Sequence, residues 1–258
     1  MKEGQTLWTR EELILAINLY CKLTFGQMHD RNPDVIHLAK LIGRSPGAVG
    51  RKLGNFASFD PSLQERGIGG LPNTGKLDRE IWTQFYNNWE ERAFESEKLR
   101  AAFEKKSLDA FVDISDFEIK EGREKERIVK VRVNQSFFRS MILASYNFKC
   151  CVTGIATIGL LVGSHIVPWS TDKANRLNPR NGLCLNALHD KAFDLHLFSI
   201  KPDLTIVLSK RLKKEKKSKF IEENFFQFEG KQITEPRKFL PDEKFLLLHN
   251  KEFENRNT

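Results

Sequence analysis

Residues 60–76 read DPSLQERGIGGLPNTGK, and five of the nine positions in 67–75 are glycine or proline. A regular helix or strand does not run through such a stretch, because proline withholds a backbone donor and glycine loses the most conformational freedom on ordering. A boundary therefore falls here, and the chain folds as pieces on either side of it. With 258 residues, 40% of them hydrophobic and 29% charged, there is enough apolar surface for one or two packed domains. No apolar run approaches the ~20 residues that cross a bilayer, and the opening MKEGQTLWTREE lacks the apolar core of a signal peptide. The expectation is a cytoplasmic protein.

Ahead of the boundary the apolar spacing is helical. TREELILAINLYCKL (9–23) has Thr9 at a cap position, Glu11 and Glu12 in the first turn, and Leu13, Ala16, Ile17 and Tyr20 on one face. DVIHLAKLIGRSPGAVGRKLGNF then gives a short helix over about 34–42 that stops at Gly43, and a second after Ser45 with Pro46 in its first turn. Ala39, Val49 and Leu53 read as inward residues. The pattern resembles a helix-turn-helix, whose second helix can enter a major groove; a three-helix bundle that touches no nucleic acid fits the same spacing. The formal charge of +8 favours a polyanionic partner. If the segment reads double-stranded DNA, the candidate contacts are Arg44, Ser45, Arg51, Lys52 and Asn55.

Past the boundary, the residues 78–108 carry Ile81, Trp82, Phe85, Trp89, Phe94, Leu99 and Phe103 at three- and four-residue spacing, which predicts one long connector helix. After the charged segment KEGREKER (120–127) the sequence predicts a helix over 135–146 and a short strand around Cys151. Next come a turn at Thr153 and Gly154 and a returning strand in GLLVGSHIVPW. A further strand is expected at 204–208 and a hairpin-like stretch in FFQFEGKQI, with a basic run, KRLKKEKKSK, between them. The four cysteines form no paired C-x₂-C motifs, so neither a structural zinc nor a disulfide framework is indicated. Cys151 and Cys184 are expected to pack as apolar residues, together with Trp169, Phe193 and Leu195.

The most informative residues are His165 in the returning strand, Asn181 in the NPRNG loop and His189 at the start of LHDKAFD. In this order, with the flanking FFRSMILASYNFKCCVTG, they resemble the HNH endonuclease family over about residues 133–200. The resemblance implies a C-terminal ββα-metal domain (127–258); with the N-terminal helix-turn-helix-like domain (1–60) and the linker and connector helix (61–126) read from the helical spacing, the expectation is an α+β protein. The resemblance also implies a general base at His165, a loop-fixing amide at Asn181 and a metal ligand at His189. The family commonly carries an acidic residue directly before the base, and here that residue is Ser164. A hydroxyl can hold a metal-bound water, and Asp190 or Asp194, at i and i+4, can supply the carboxylate. On a regular helix His189 falls on a face with Phe193, so only one of the two sets can face the metal.

Phosphodiester hydrolysis suits these residue types. A neutral imidazole accepts a proton from water near neutral pH, and Mg²⁺ or Mn²⁺, one ion per site, offsets charge on the phosphate. The implied function is a DNA endonuclease of restriction type, working as a homodimer so that both strands can be cut. The alternatives are a DNA-binding regulator with a decayed HNH fold and a nuclease selective for modified DNA.

Overall fold

A computed structural model describes residues 6–71, 73–111, 122–215 and 218–257. The chain divides into two compact units, residues 1–141 and 142–258.

The first unit is helical. Helix α1 (Arg10–Lys22) starts at Thr9, whose hydroxyl accepts from the backbone N–H of Glu12 while the Glu12 carboxylate accepts from that of Thr9. Helix α2 (Pro33–Leu41) is capped by Asn32, and α3 (Pro46–Ala57) by Ser45, each with proline at its first position. Between them Gly43 takes φ +66°, and Arg44 N–H donates to the Ala39 carbonyl at 2.8 Å. That left-handed step is what turns the chain. Ala39, Val49 and Leu53 are buried, as their spacing predicts.

A short helix α4 (Pro61–Glu65) opens the boundary segment, and the glycine-rich residues after it fold back on α3. Leu71 N–H donates to the Gly54 carbonyl at 3.2 Å. A Cβ on Gly70 would stand 2.3 Å from the Ser58 nitrogen, so only glycine permits this approach.

The single helix expected over 78–108 is two helices, α5 (Lys76–Asn87) and α6 (Trp89–Glu104). Asn88 breaks it, with its backbone at φ −152° and its side chain accepting from Glu91 N–H; a short amide competes well for such a cap. The break resets the helical phase. Ile81, Trp82, Phe85 and Trp89 are buried, but beyond Asn88 the inward residues are Ala93, Ser96, Glu97 and Ala101, while Phe103 is exposed. Both helices pack on α1, where Asn18 donates to Ser96 and Glu97 at 2.7 Å each and Lys22 pairs with Glu97. The residues expected to form a connector thus contribute to the packing of this unit. Helix α7 (Arg123–Ser145) begins twelve residues before the helix predicted at 135; residues 120 and 121 of the charged segment lie outside the described residues.

The second unit is built around a hairpin. Strands β1 (Leu161–His165) and β2 (Gly182–Asn186) pair antiparallel, with Leu161 opposite Asn186 and His165 opposite Gly182. Helix α8 (Ala187–Asp194) comes directly after β2 and packs on both strands. The short strand expected around Cys151 is a turn. Gly154 N–H donates back to the Cys150 carbonyl and Cys151 N–H to the Cys184 carbonyl, both at 2.8 Å. The partner of β1 therefore comes from the far side of the polar loop, out of GLCLN.

A second sheet pairs β3 (Phe198–Ile200) with β4 (Ile206–Leu208). Helices α9 (Lys210–Lys213), α10 (Lys219–Asn224) and α11 (Glu243–Asn257) complete the unit, α11 against β3. The stretch expected to be hairpin-like holds a 3₁₀ turn at Phe226–Phe228 and one bridge, Thr205 to Gln232. All four cysteines are buried thiols. Phe193 is fully buried, as expected, whereas Leu195 is 43% exposed and Trp169 is half-buried.

Candidate active site

His165 ends β1. Its neighbour across the hairpin is Gly182, so no opposing side chain covers the ring. Nε2 lies 2.8 Å from the carbonyl oxygen of Arg176, which can only accept; Nε2 therefore carries the proton and Nδ1 the basic lone pair. The imidazole meets the Trp169 indole edge to face, with centroids 5.4 Å apart at 88°. Burial pushes its pKa below 6.5, while the Arg176 carbonyl and the Asp190 charge act in the opposite direction. The ring is neutral at physiological pH.

Asn181 is buried and clamps the chain just past His165. Its Oδ1 accepts from Val167 N–H at 2.8 Å, and its Nδ2 donates to the Val167 carbonyl at 3.1 Å and to that of Asn175 at 3.3 Å. Its own carbonyl accepts from Ile166 N–H at 3.0 Å. One amide thus satisfies both polar groups of Val167 without burying a charge.

Helix α8 presents two faces. His189 and Phe193 point into the core: His189 is 1% exposed, its Nε2 donates to the Asn224 carbonyl at 2.8 Å, and Phe198, Phe225 and Phe228 pack around its ring. Burial lowers its pKa against the opposing Asn224 bond. The geometry brings His189 together with these aromatic rings rather than with His165. Its helical spacing with Phe193 was the legible sign.

Asp190 and Asp194 occupy the other face, and Asp190 is close enough for its charge to act on His165. The Asp194 carboxyl is raised, by burial first and then by the Asp190 charge, with Lys191 opposing. Ser164 is 2% exposed and lies opposite Leu183, and strand alternation turns it away from the face that carries His165. Its Oγ has no hydrogen-bond partner among the described residues. The expected help of Ser164 to a metal does not fit this direction.

Residues 150–201 match the family model described as HNH endonuclease. Over this segment the chain is similar to the HNH endonuclease family. The match starts at the Cys150 turn, contains the hairpin and α8, and ends just after β3. No curated protein matches the chain. HNH nucleases generally use a divalent metal ion. Among the described residues no group of three or more His, Cys, Asp or Glu side chains is gathered to hold one. The carboxylate whose charge reaches His165 is that of Asp190, one helical turn from Asp194 on α8. Hard oxygens in small number suit a cation that keeps most of its waters.

The HNH segment has neighbours that the sequence alone does not single out. The Arg176 carbonyl fixes the His165 ring, and the Asn224 carbonyl fixes His189; backbone acceptors leave no side-chain signal. In the first unit the expected DNA contacts divide sharply. Lys52 is buried and bonds both Asp78 oxygens, at 2.8 and 2.9 Å. Asn55 is buried with its amide on the Asn73 carbonyl. Arg44 grips Glu12 at 2.7 and 2.9 Å and the Thr6 and Leu7 carbonyls, over the Trp8 ring. Ser45 spends its hydroxyl as the cap of α3, and Arg51 is exposed. In the basic run Lys213 pairs with Glu229, and residues 216 and 217 lie outside the described residues.

Proposed function

We propose that the protein is a metal-dependent DNA endonuclease in which His165 is the general base. The observation that carries this is the neutral His165 ring at the end of β1, with Nε2 committed to the Arg176 carbonyl, inside a segment of the HNH family. Nδ1 accepts a proton from water as it attacks the phosphodiester, and the imidazolium so formed is supported by the Arg176 carbonyl and the Asp190 charge. Asn181 holds Ile166 and Val167, and so holds the base against recoil. Asp190 and Asp194 are the residues proposed to hold Mg²⁺ or Mn²⁺. Bound there, the ion supplies Lewis-acid stabilisation of charge on the phosphate and the leaving oxygen. His189 braces α8 from the core side.

The first unit supports a reading role confined to the start of α3. Gly70, Leu71 and Asn73 meet its later turns and Lys52 is spent on Asp78, which leaves Arg51 as the cation proposed to reach DNA. A restriction role and a homodimer answer the need to cut both strands selectively, with the first unit (1–141) supplying recognition and the second (142–258) cleavage.

The test is cleavage of supercoiled plasmid by purified protein with Mg²⁺, Mn²⁺ or EDTA, using plasmid from methylating and non-methylating hosts. Nicking or linearisation that EDTA abolishes is the expected result, and dependence on the host would identify modified DNA as the substrate. Absence of cleavage on every plasmid, with binding intact, would favour a DNA-binding protein with a decayed site; Ser164 at the usually acidic position is the observation on that side.

A further inference from the structure

The loop between β1 and β2 makes a closed set of contacts around the His165 ring, and Arg176 contributes to it twice. Its carbonyl receives Nε2–H of His165 at 2.8 Å, and its own Nε donates to the Trp169 carbonyl at 2.9 Å. Its guanidinium carbon lies 5.3 Å from the centroid of the Trp169 ring, the same ring that meets the imidazole at 5.4 Å. The indole is thus shared by the base and by the arginine that orients it.

We infer that Arg176 is a positioning residue for cleavage, its side chain tying the loop to Trp169 so that its own carbonyl meets His165 Nε2; this rests on His165 being the base. Asn181 fixes the two walls of the loop at Val167 and Asn175. Arg176 is the next residue, and what the amide does not reach is the peptide between Arg176 and Leu177, whose carbonyl the imidazole uses. Leu177 is buried and holds the far side. On the near side the Nε bond and the cation–π contact with Trp169 oppose rotation of that peptide. An arginine suits this position because its guanidinium can donate through Nε to the Trp169 carbonyl while its charge sits over the indole. Lysine can keep the donation to the Trp169 carbonyl without the planar guanidinium fork. Alanine keeps neither.

The test separates this inference from the assignment of the base by reading the ring without DNA. In ¹⁵N-histidine-labelled protein, wild type is expected to show a ring Nε2–H correlation for His165 that survives exchange with water at neutral pH. Arg176→Ala should speed that exchange by about tenfold or more, and Arg176→Lys should restore part of the protection. In the cleavage assay Arg176→Ala should lower kcat by about tenfold to a hundredfold with little change in KM. A protected Nε2–H that is unchanged in Arg176→Ala would overturn the inference. So would a raised KM with unchanged kcat, which would mark Arg176 as a contact to the DNA backbone. Should Arg176→Ala not fold, wild type still decides: a His165 ring protonated on Nδ1 instead of Nε2 overturns the inference. Failure of the nuclease assignment would appear separately, as a protected Nε2–H in a protein that does not cut.

Discussion

Replacing Asn181 by alanine removes three side-chain hydrogen bonds, at 2.8, 3.1 and 3.3 Å, from a residue 1% exposed. Each such bond contributes about 1 kcal/mol net, and a buried backbone group left without a partner costs about 1–3 kcal/mol. Val167 is buried, so both its N–H and its carbonyl are stranded unless water enters the space the amide leaves. The expected loss is about 3–5 kcal/mol, a large part of the ~5–15 kcal/mol that holds a domain together. Urea unfolding monitored by circular dichroism measures it. Cleavage should fall by about a hundredfold under conditions where the variant remains folded, because the clamp lies two residues from the base. Asn181→Asp sharpens the argument. The introduced carboxylate can accept from Val167 N–H but faces two carbonyls, so its folded pKa should rise above the unfolded value near 3.9. Its stability relative to wild type should therefore be best in acid and worsen as pH rises through that raised pKa. An Asn181→Ala protein within about 0.5 kcal/mol of wild type, cutting at the wild-type rate, would refute the clamp.

Further outcomes are expected from the same contacts. His249 is buried between Ser199 at 2.7 Å and His196 at 3.1 Å, and burial with the His196 charge pushes its pKa down to about 3. It folds neutral, so its stabilisation is complete above about pH 6.5 and is lost as pH falls toward 3, at about 1.36 kcal/mol per unit, or about 2 kcal/mol between pH 6.5 and 5. Urea titrations at pH 7.5 and 5 should show a smaller difference in His249→Gln than in wild type, and an equal difference would contradict the assignment. Asp190→Asn and Asp194→Asn should each weaken cleavage at low Mg²⁺ and recover partly at high Mg²⁺ or with Mn²⁺, whereas His189→Gln should lower thermal stability without changing the metal requirement; the reverse pattern in a titration of rate against metal would restore His189 as the ligand. Lys52→Ala strands the buried Asp78 carboxylate and should cost about 3–5 kcal/mol in urea unfolding. Arg51→Ala should leave stability within about 0.5 kcal/mol and weaken DNA binding in a gel-shift assay, and unchanged affinity would remove α3 as the reader.

The features legible in the sequence are those that local chemistry decides. Thr9, Asn32 and Ser45 cap helices because short polar side chains compete for the first N–H groups, and Gly43 turns the chain because it alone takes φ +66° without strain. The HNH segment was legible through the order of His165, Asn181 and His189, a resemblance that the family match over residues 150–201 supports. Partners distant in sequence were not. β1 pairs with GLCLN across a sixteen-residue loop rather than with the nearer Cys151 stretch, and no local signal ranks the two. Lys52 and Asn55 have the spacing of surface residues on a recognition helix, but residues 73 and 78 fold over them. On α8 the spacing alone divided the residues into His189 with Phe193 and Asp190 with Asp194. Only the aromatic ring cluster from Phe198, Phe225 and Phe228 decides which pair is buried.

The most direct measurement compares wild type with His165→Ala for plasmid cleavage in Mg²⁺ and for DNA binding in Ca²⁺, on protein shown folded by circular dichroism. Removal of a general base is expected to lower the rate by about 10²–10⁴-fold while affinity stays within about threefold. Cleavage by His165→Ala at the wild-type rate would contradict the account at its centre.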